Sequence, residues 1–252
     1  MPGYPETIAD RVALVRDRIE RAARHAGRDS ASVTLVAVTK THPPVLIEEV
    51  VAAGVVDLGE NRVQEAATKV ETFRQTGHAV RWHLIGHLQR NKARVAVGLF
   101  DIVHSVDSLR LAEALDRQVR EAVLSAERAP DSRLPILLQI NVSGEASKEG
   151  FALLGGCANK SGMEALLGAI ERMVALPGLE VRGLMTIAPL VDDPELARPT
   201  FRMLRELRDE LARQVPTVHW NELSMGMTDD FEVAISEGAT LVRVGRALFG
   251  ER

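Results

Sequence analysis

The chain has 252 residues, of which 46% are hydrophobic and 26% charged, with a net charge of -4. That length holds one barrel-sized unit, read here as a single domain over residues 1–252, and the mild acidity offers no electrostatic lure for nucleic acid. A lone cysteine, Cys157, excludes an internal disulfide framework and a cysteine-based zinc site; the start lacks a leader pattern and no run reaches membrane length, so a cytoplasmic protein with no membrane contact is expected.

Ile8 to Ala26 carries Val12, Leu14, Val15 and Ile19 at helical spacing, an extra N-terminal helix expected to cap one end of the fold. Val33-Thr-Leu-Val-Ala-Val-Thr-Lys40 follows, an apolar and β-branched run of the kind a parallel sheet buries on both faces. Lys40 stands at its carboxyl end, where α/β folds bind ligands. Two readings of it stay open: an amine of lowered pKa that attacks a carbonyl, or a strand-end lysine reaching water.

Val45 to Ala53 reads as a helix stopped by Gly54, Val55 to Gly59 as strand two, and Asn61 to Arg74 as a helix. Val80 to Ile85, Phe100 to Ser105 and Leu134 to Asn141 supply strands three to five, with Ser108 capping the helix that runs to Ala126. The glycine-rich stretch from Gly150 to Ser161 is long for a connection, either a lid or an insertion without a role. Met163 to Ala175 is helical, Glu180 to Ile187 is strand six, and Pro194 to Arg213 is another helix. His219 to Ser224, a short helix from Asp229 to Glu237, and Thr240 to Val244 complete eight strands, each followed by a helix. The fold class is therefore α/β, a single (β/α)8 TIM barrel.

Ser224-Met-Gly-Met-Thr228 leaves strand seven and Arg243-Val-Gly-Arg-Ala247 leaves strand eight, where this fold recurrently binds phosphate. The Ser224 hydroxyl, the close backbone approach allowed by Gly226, and the amides of Gly245 and Arg246 are the expected contacts, unless both glycines only serve turns. With Lys40 across the mouth, a phosphorylated aldehyde held as an imine is expected; pyridoxal 5'-phosphate (PLP) and a sugar phosphate both qualify. Arg243 favours the former, since it could face a pyridine nitrogen and leave it unprotonated.

The ordered segments Val36-Ala-Val-Thr-Lys40, Gly59-Glu-Asn-Arg-Val-Gln-Glu65, Trp82 to Lys92, Gly144-Glu-Ala-Ser-Lys148, Gly183-Leu-Met185, Leu223 to Asp229 and Val242-Arg-Val-Gly-Arg246 resemble the YggS/PROSC family of pyridoxal phosphate homeostasis proteins. The resemblance implies an alanine racemase N-terminal-like barrel (fold type III of PLP proteins), a Schiff base on Lys40, phosphate contacts from Ser224 and the Gly245-Arg246 backbone, and Arg243 at the pyridine nitrogen. It also implies that Asn61, His83, Met185 and Met227 line the pocket. Racemases of related fold add a tyrosine base and a second domain, whereas the only tyrosine is Tyr4 and the chain ends eight residues after Val244. The expected role is thus PLP homeostasis, a vitamin B6 carrier and not an enzyme, a monomer or weak homodimer that serves PLP-dependent apoenzymes. The alternative is a single-domain racemase using Lys40 with water or His83 as second base. His83 and His87, four apart, are not expected to hold a metal because one falls on a strand.

Overall fold

The computed structural model describes residues 7–145 and 149–250. The Thr7 hydroxyl accepts from the Asp10 amide and the Asp10 carboxylate accepts from the Thr7 amide, a capping box that starts α1 (Ile8–His25). Strand β1 (Thr34–Val38) follows, with Leu35 to Val38 buried, and leads to α2 (Pro44–Ala52). The alternation continues through β2 (Asp57–Glu60), α3 (Val63–Thr76), β3 (Arg81–Leu84), α4 (Ala93–Leu99), β4 (Ile102–Val106) and α5 (Leu109–Leu124). Ser108 caps α5 as expected, accepting from the Leu111 amide. Then come β5 (Leu134–Asn141), the two-residue β6 (Phe151–Ala152), α6 (Lys160–Val174), β7 (Leu179–Met185), α7 (Arg198–Gln214), β8 (Glu222–Ser224), α8 (Phe231–Ser236), β9 (Leu241–Val244) and the single turn α9 (Arg246–Phe249).

All pairings are parallel, and the ring closes because β4 pairs with β5 and β9 with β1. Eight strands form this closed barrel, and β6 adds to the end of β5 outside it. Strand alternation sorts the apolar residues into two cores. Leu35 and Ala37 face the helices, while Val36 joins Ile102, Leu137, Met185 and Leu241 in the lumen.

Two expectations change. Helix α1 does not cap an end: it packs against α2, α8 and α9 on the outer wall. The reason lies at the carboxyl end, where α9 is only one turn long and leaves the β9–β1 seam to be covered by α1, whose Val12, Val15 and Ile19 are buried. The glycine-rich stretch is anchored, since Phe151 and Ala152 pair with Ile140 and Asn141, Leu153 is fully buried, and α6 begins by residue 160. Residues 146–148, with Lys148 of the Gly144 motif, lie outside the described residues, as does Tyr4. Among the described residues no helix is long and apolar enough to cross a membrane.

Candidate functional site

Strand β1 stops at Val38, so Lys40 sits in a tight turn two residues beyond it rather than on the strand. Thr41 there adopts φ +67°, a left-handed conformation that costs a β-branched residue about 1 to 3 kcal/mol and persists only where neighbours impose it. A buried cluster supplies that constraint. The Lys69 ammonium on α3 donates to the Thr39 carbonyl (2.7 Å), to Glu60 (2.7 Å) and to Glu65 (2.7 Å). The Thr39 hydroxyl also donates to Glu60, at 2.5 Å, and the Thr41 amide donates to Glu65. Both neighbours of Lys40 are thereby tied to one ionic knot. Burial pushes the Glu60 carboxyl above its usual range, although bonds from Lys69 and Thr39 pull the other way.

Lys40 borders a cavity of about 550 Å³ at the carboxyl mouth of the barrel. Arg243, Gly245, Arg246 and Met227 border it too, so residues from three separate segments converge as expected from the sequence. The loop after β8 is shaped for close approach: Gly226 has φ +91°, and a Cβ there would lie 2.6 Å from Ala234 Cβ and 2.9 Å from Phe231 Cα. Asp230 holds this loop by accepting from the Met227 amide at 2.6 Å. Arg246 extends to an ion pair with Asp229, which leaves its backbone as the part available to an anion.

Arg243 is 4% exposed, and burial lowers its pKa to about 10, opposed by Asp230. Its guanidinium donates to the Ser224 hydroxyl at 2.6 Å and to the Thr186 carbonyl at 2.9 Å. Ser224 is therefore turned into the lumen rather than into the cavity, because Arg243 and His104 Nδ1 (2.9 Å) both engage its oxygen. His83 is a plainer correction. It contacts His104 through Nδ1 (2.9 Å) and Asp57 through Nε2 (2.9 Å), and it borders a different cavity of about 320 Å³ at the amino-terminal mouth. His83 thus cannot serve as a second base opposite Lys40. Nor does it pair with His87, which is exposed and contacts Asp107 at 3.2 Å.

Met185 is fully buried in the lumenal core, below the cavity instead of lining it. Asn61, just past β2, keeps a buried Oδ1 that meets no hydrogen-bond partner, the kind of polar atom a ligand would satisfy. Sequence reasoning missed His42, which borders the cavity and stacks on Phe249 at 4.2 Å, because His42-Pro43-Pro44 reads as a turn. It also missed Glu60 and His104. The i,i+4 spacing of Glu65 and Lys69 and the lone polar residues in otherwise apolar strands were the available signals. Cys157 is exposed, and partial burial with Glu210 and Glu206 nearby pushes its thiol up, away from a reactive thiolate.

The chain matches the family described as "Alanine racemase, N-terminal domain" over residues 12–252. It is 44% identical to the pyridoxal phosphate homeostasis protein of Pseudomonas aeruginosa, covering 98% of this chain and 96% of that one. Identity to the protein of that name from Aquifex aeolicus is 40%, covering 96% and 97%. Among solved structures, PipY of Synechococcus elongatus with PLP bound superposes with a TM-score of 0.79 at 38% identity, covering 97% of this chain and all of that one.

Proposed function

We propose a cofactor-holding role for this chain, which belongs to the pyridoxal phosphate homeostasis proteins of the alanine racemase N-terminal domain family. Its cofactor is PLP, and its role is PLP homeostasis. The observation that carries the finer reading is the convergence of Lys40, Arg243 and the Gly245-Arg246 backbone on one cavity.

The residues fit the group. Lys40 offers the amine, the Gly245-Arg246 backbone and the loop pinned by Asp230 offer a cradle for the phosphate, and Arg243 offers a fixed cation to the ring nitrogen. Bound there, PLP would supply an electrophilic aldehyde within reach of the Lys40 amine. The knot around Glu60 and Lys69 holds the Lys40 turn in place, and Arg243, still a cation near neutral pH, would not hand a proton to a bound ring and would leave it a weak electron sink.

A carrier reading over a racemase reading is supported by the placement of His83 at the far mouth. A cytoplasmic location and delivery to PLP-dependent apoenzymes go with this reading. The test is to add PLP, reduce with borohydride and map the modified peptide. A PLP-derived mass on Lys40, absent from Lys40→Ala together with the absorption change, is expected; modification of another lysine overturns the assignment. Incubation with single amino-acid enantiomers is expected to give no sustained inversion, and steady turnover would favour the racemase.

A further inference from the structure

Five side chains, one from each of five barrel strands, touch in series through the lumen, with Glu222 on β8 facing His83 from the side. Asp57 on β2 contacts His83 on β3 (2.9 Å), His83 contacts His104 on β4 (2.9 Å), His104 contacts Ser224 on β8 (2.9 Å), and Ser224 contacts Arg243 on β9 (2.6 Å). All five are 7% exposed or less, counting Asp57 by its side chain, and His104 and Ser224 are completely buried. The chain spans the barrel: Asp57 and His83 border the amino-terminal cavity, and Arg243 borders the cavity of Lys40.

The chemistry of its two ends fixes the outer links, and the charge on the two imidazoles fixes the inner ones. A guanidinium only donates and a carboxylate only accepts. Asp57 is held ionised by Arg81, which binds both of its oxygens at 2.7 and 2.8 Å. With both imidazoles neutral, one assignment satisfies all four contacts. His83 donates its Nε2 proton to Asp57 and accepts at Nδ1; His104 donates its Nε2 proton to His83 and accepts at Nδ1; Ser224 donates to His104 and accepts from Arg243. Each acceptor is polarised by the next, so the anion at one mouth strengthens the grip on the cation at the other.

We propose that Asp57, His83 and His104 are positioning residues that act through Ser224 as a one-way hydrogen-bond relay to orient Arg243 toward the ligand cavity. The proposal rests on the reading that Arg243 faces bound PLP, and its test separates the two.

The first measurement needs no ligand. Two-bond 15N–1H correlation on the histidine-labelled protein near neutral pH is expected to show His83 and His104 both neutral, protonated at Nε2 and bare at Nδ1. A proton on Nδ1 of His104, or a cationic His83, would reverse the order of donors and overturn the relay. The second is a PLP titration of His104→Phe, Arg243→Gln and the double variant, with Asp57→Asn as a near-isosteric check should His104→Phe fail to fold. Loss of one partner from a buried charged chain is expected to weaken PLP binding by about 5- to 100-fold. The double variant should be little worse than Arg243→Gln alone, because the residues act as one unit. His104→Gln, which can still accept and donate, should recover most of the loss. Additive losses, or no recovery, would reject positioning. If the tautomers are as assigned but Arg243→Gln binds PLP like the parent chain, the placement of Arg243 against the cofactor is what fails.

Discussion

Replacing Lys69 with Met removes the only cation seen within hydrogen-bond distance of Glu60 among the described residues while keeping most of the side-chain volume. Glu60 is completely buried, and one of its oxygens already meets no partner. Left ionised and alone, it would cost about 3 to 5 kcal/mol. Taking up a proton instead costs about 3.7 kcal/mol at pH 7 for a carboxyl of ordinary pKa near 4.3. The cheaper route wins, so the expected loss is about 3 to 4 kcal/mol, a fall in melting temperature of roughly 6 to 16 °C for a chain of this size. The sign of the pH dependence follows. Glu60 already sits above its unfolded pKa in the parent and rises further in the variant, so the added penalty is fully present at neutral pH and shrinks as pH falls toward the parent's folded pKa. From pH 7 to pH 5 the melts should therefore converge on the parent by up to about 1.4 kcal/mol per unit, and adding Glu60→Gln should restore stability at both. The turn at Lys40 loses the donor on Thr39 at the same time, so PLP binding weakens with stability. A deficit below about 1 kcal/mol, or one equal at both pH values, would refute the reasoning.

Gly226→Ala combines a positive φ with a Cβ 2.6 Å from Ala234 Cβ, so calorimetry should show a loss of about 3 to 5 kcal/mol and PLP titration a damaged phosphate loop. Burial raises the Asp57 carboxyl, but bonds from His83 and Arg81 outweigh it and hold the group below its ordinary value. Its stabilising contribution is thus present above the unfolded pKa and lost as pH falls through the lower folded one. Asp57→Asn should be less stable than the parent by about 1 to 3 kcal/mol near pH 6, with the gap closing in acid unfolding curves below about pH 4.

Much of the barrel was legible from periodicity. The run ending at Lys40, the strand from Leu134 to Asn141 and the cap at Ser108 all stand where their residue types put them. The two glycine-bearing loops after the last barrel strands also reach the cavity, through Met227 and Gly245. Depth within the lumen was not legible. A strand pattern tells which residues point inward, but the stagger between strands decides whether an inward residue meets the upper cavity, the apolar middle or the lower mouth. That is why Met185 lies in the middle layer and His83 at the lower mouth, although their motifs placed both beside the ligand.

The sequence by itself determined the alternation of strand and helix, the lysine beyond the first strand and the family, because these depend on local periodicity and on ordered motifs. Only the tertiary structure decided that α1 fills the wall that α9 is too short to cover, that Lys69 clamps the turn around Lys40, and that two histidines link Asp57 to Arg243. Each of those facts joins residues distant along the chain, and closing the barrel is what brings them within reach of one another.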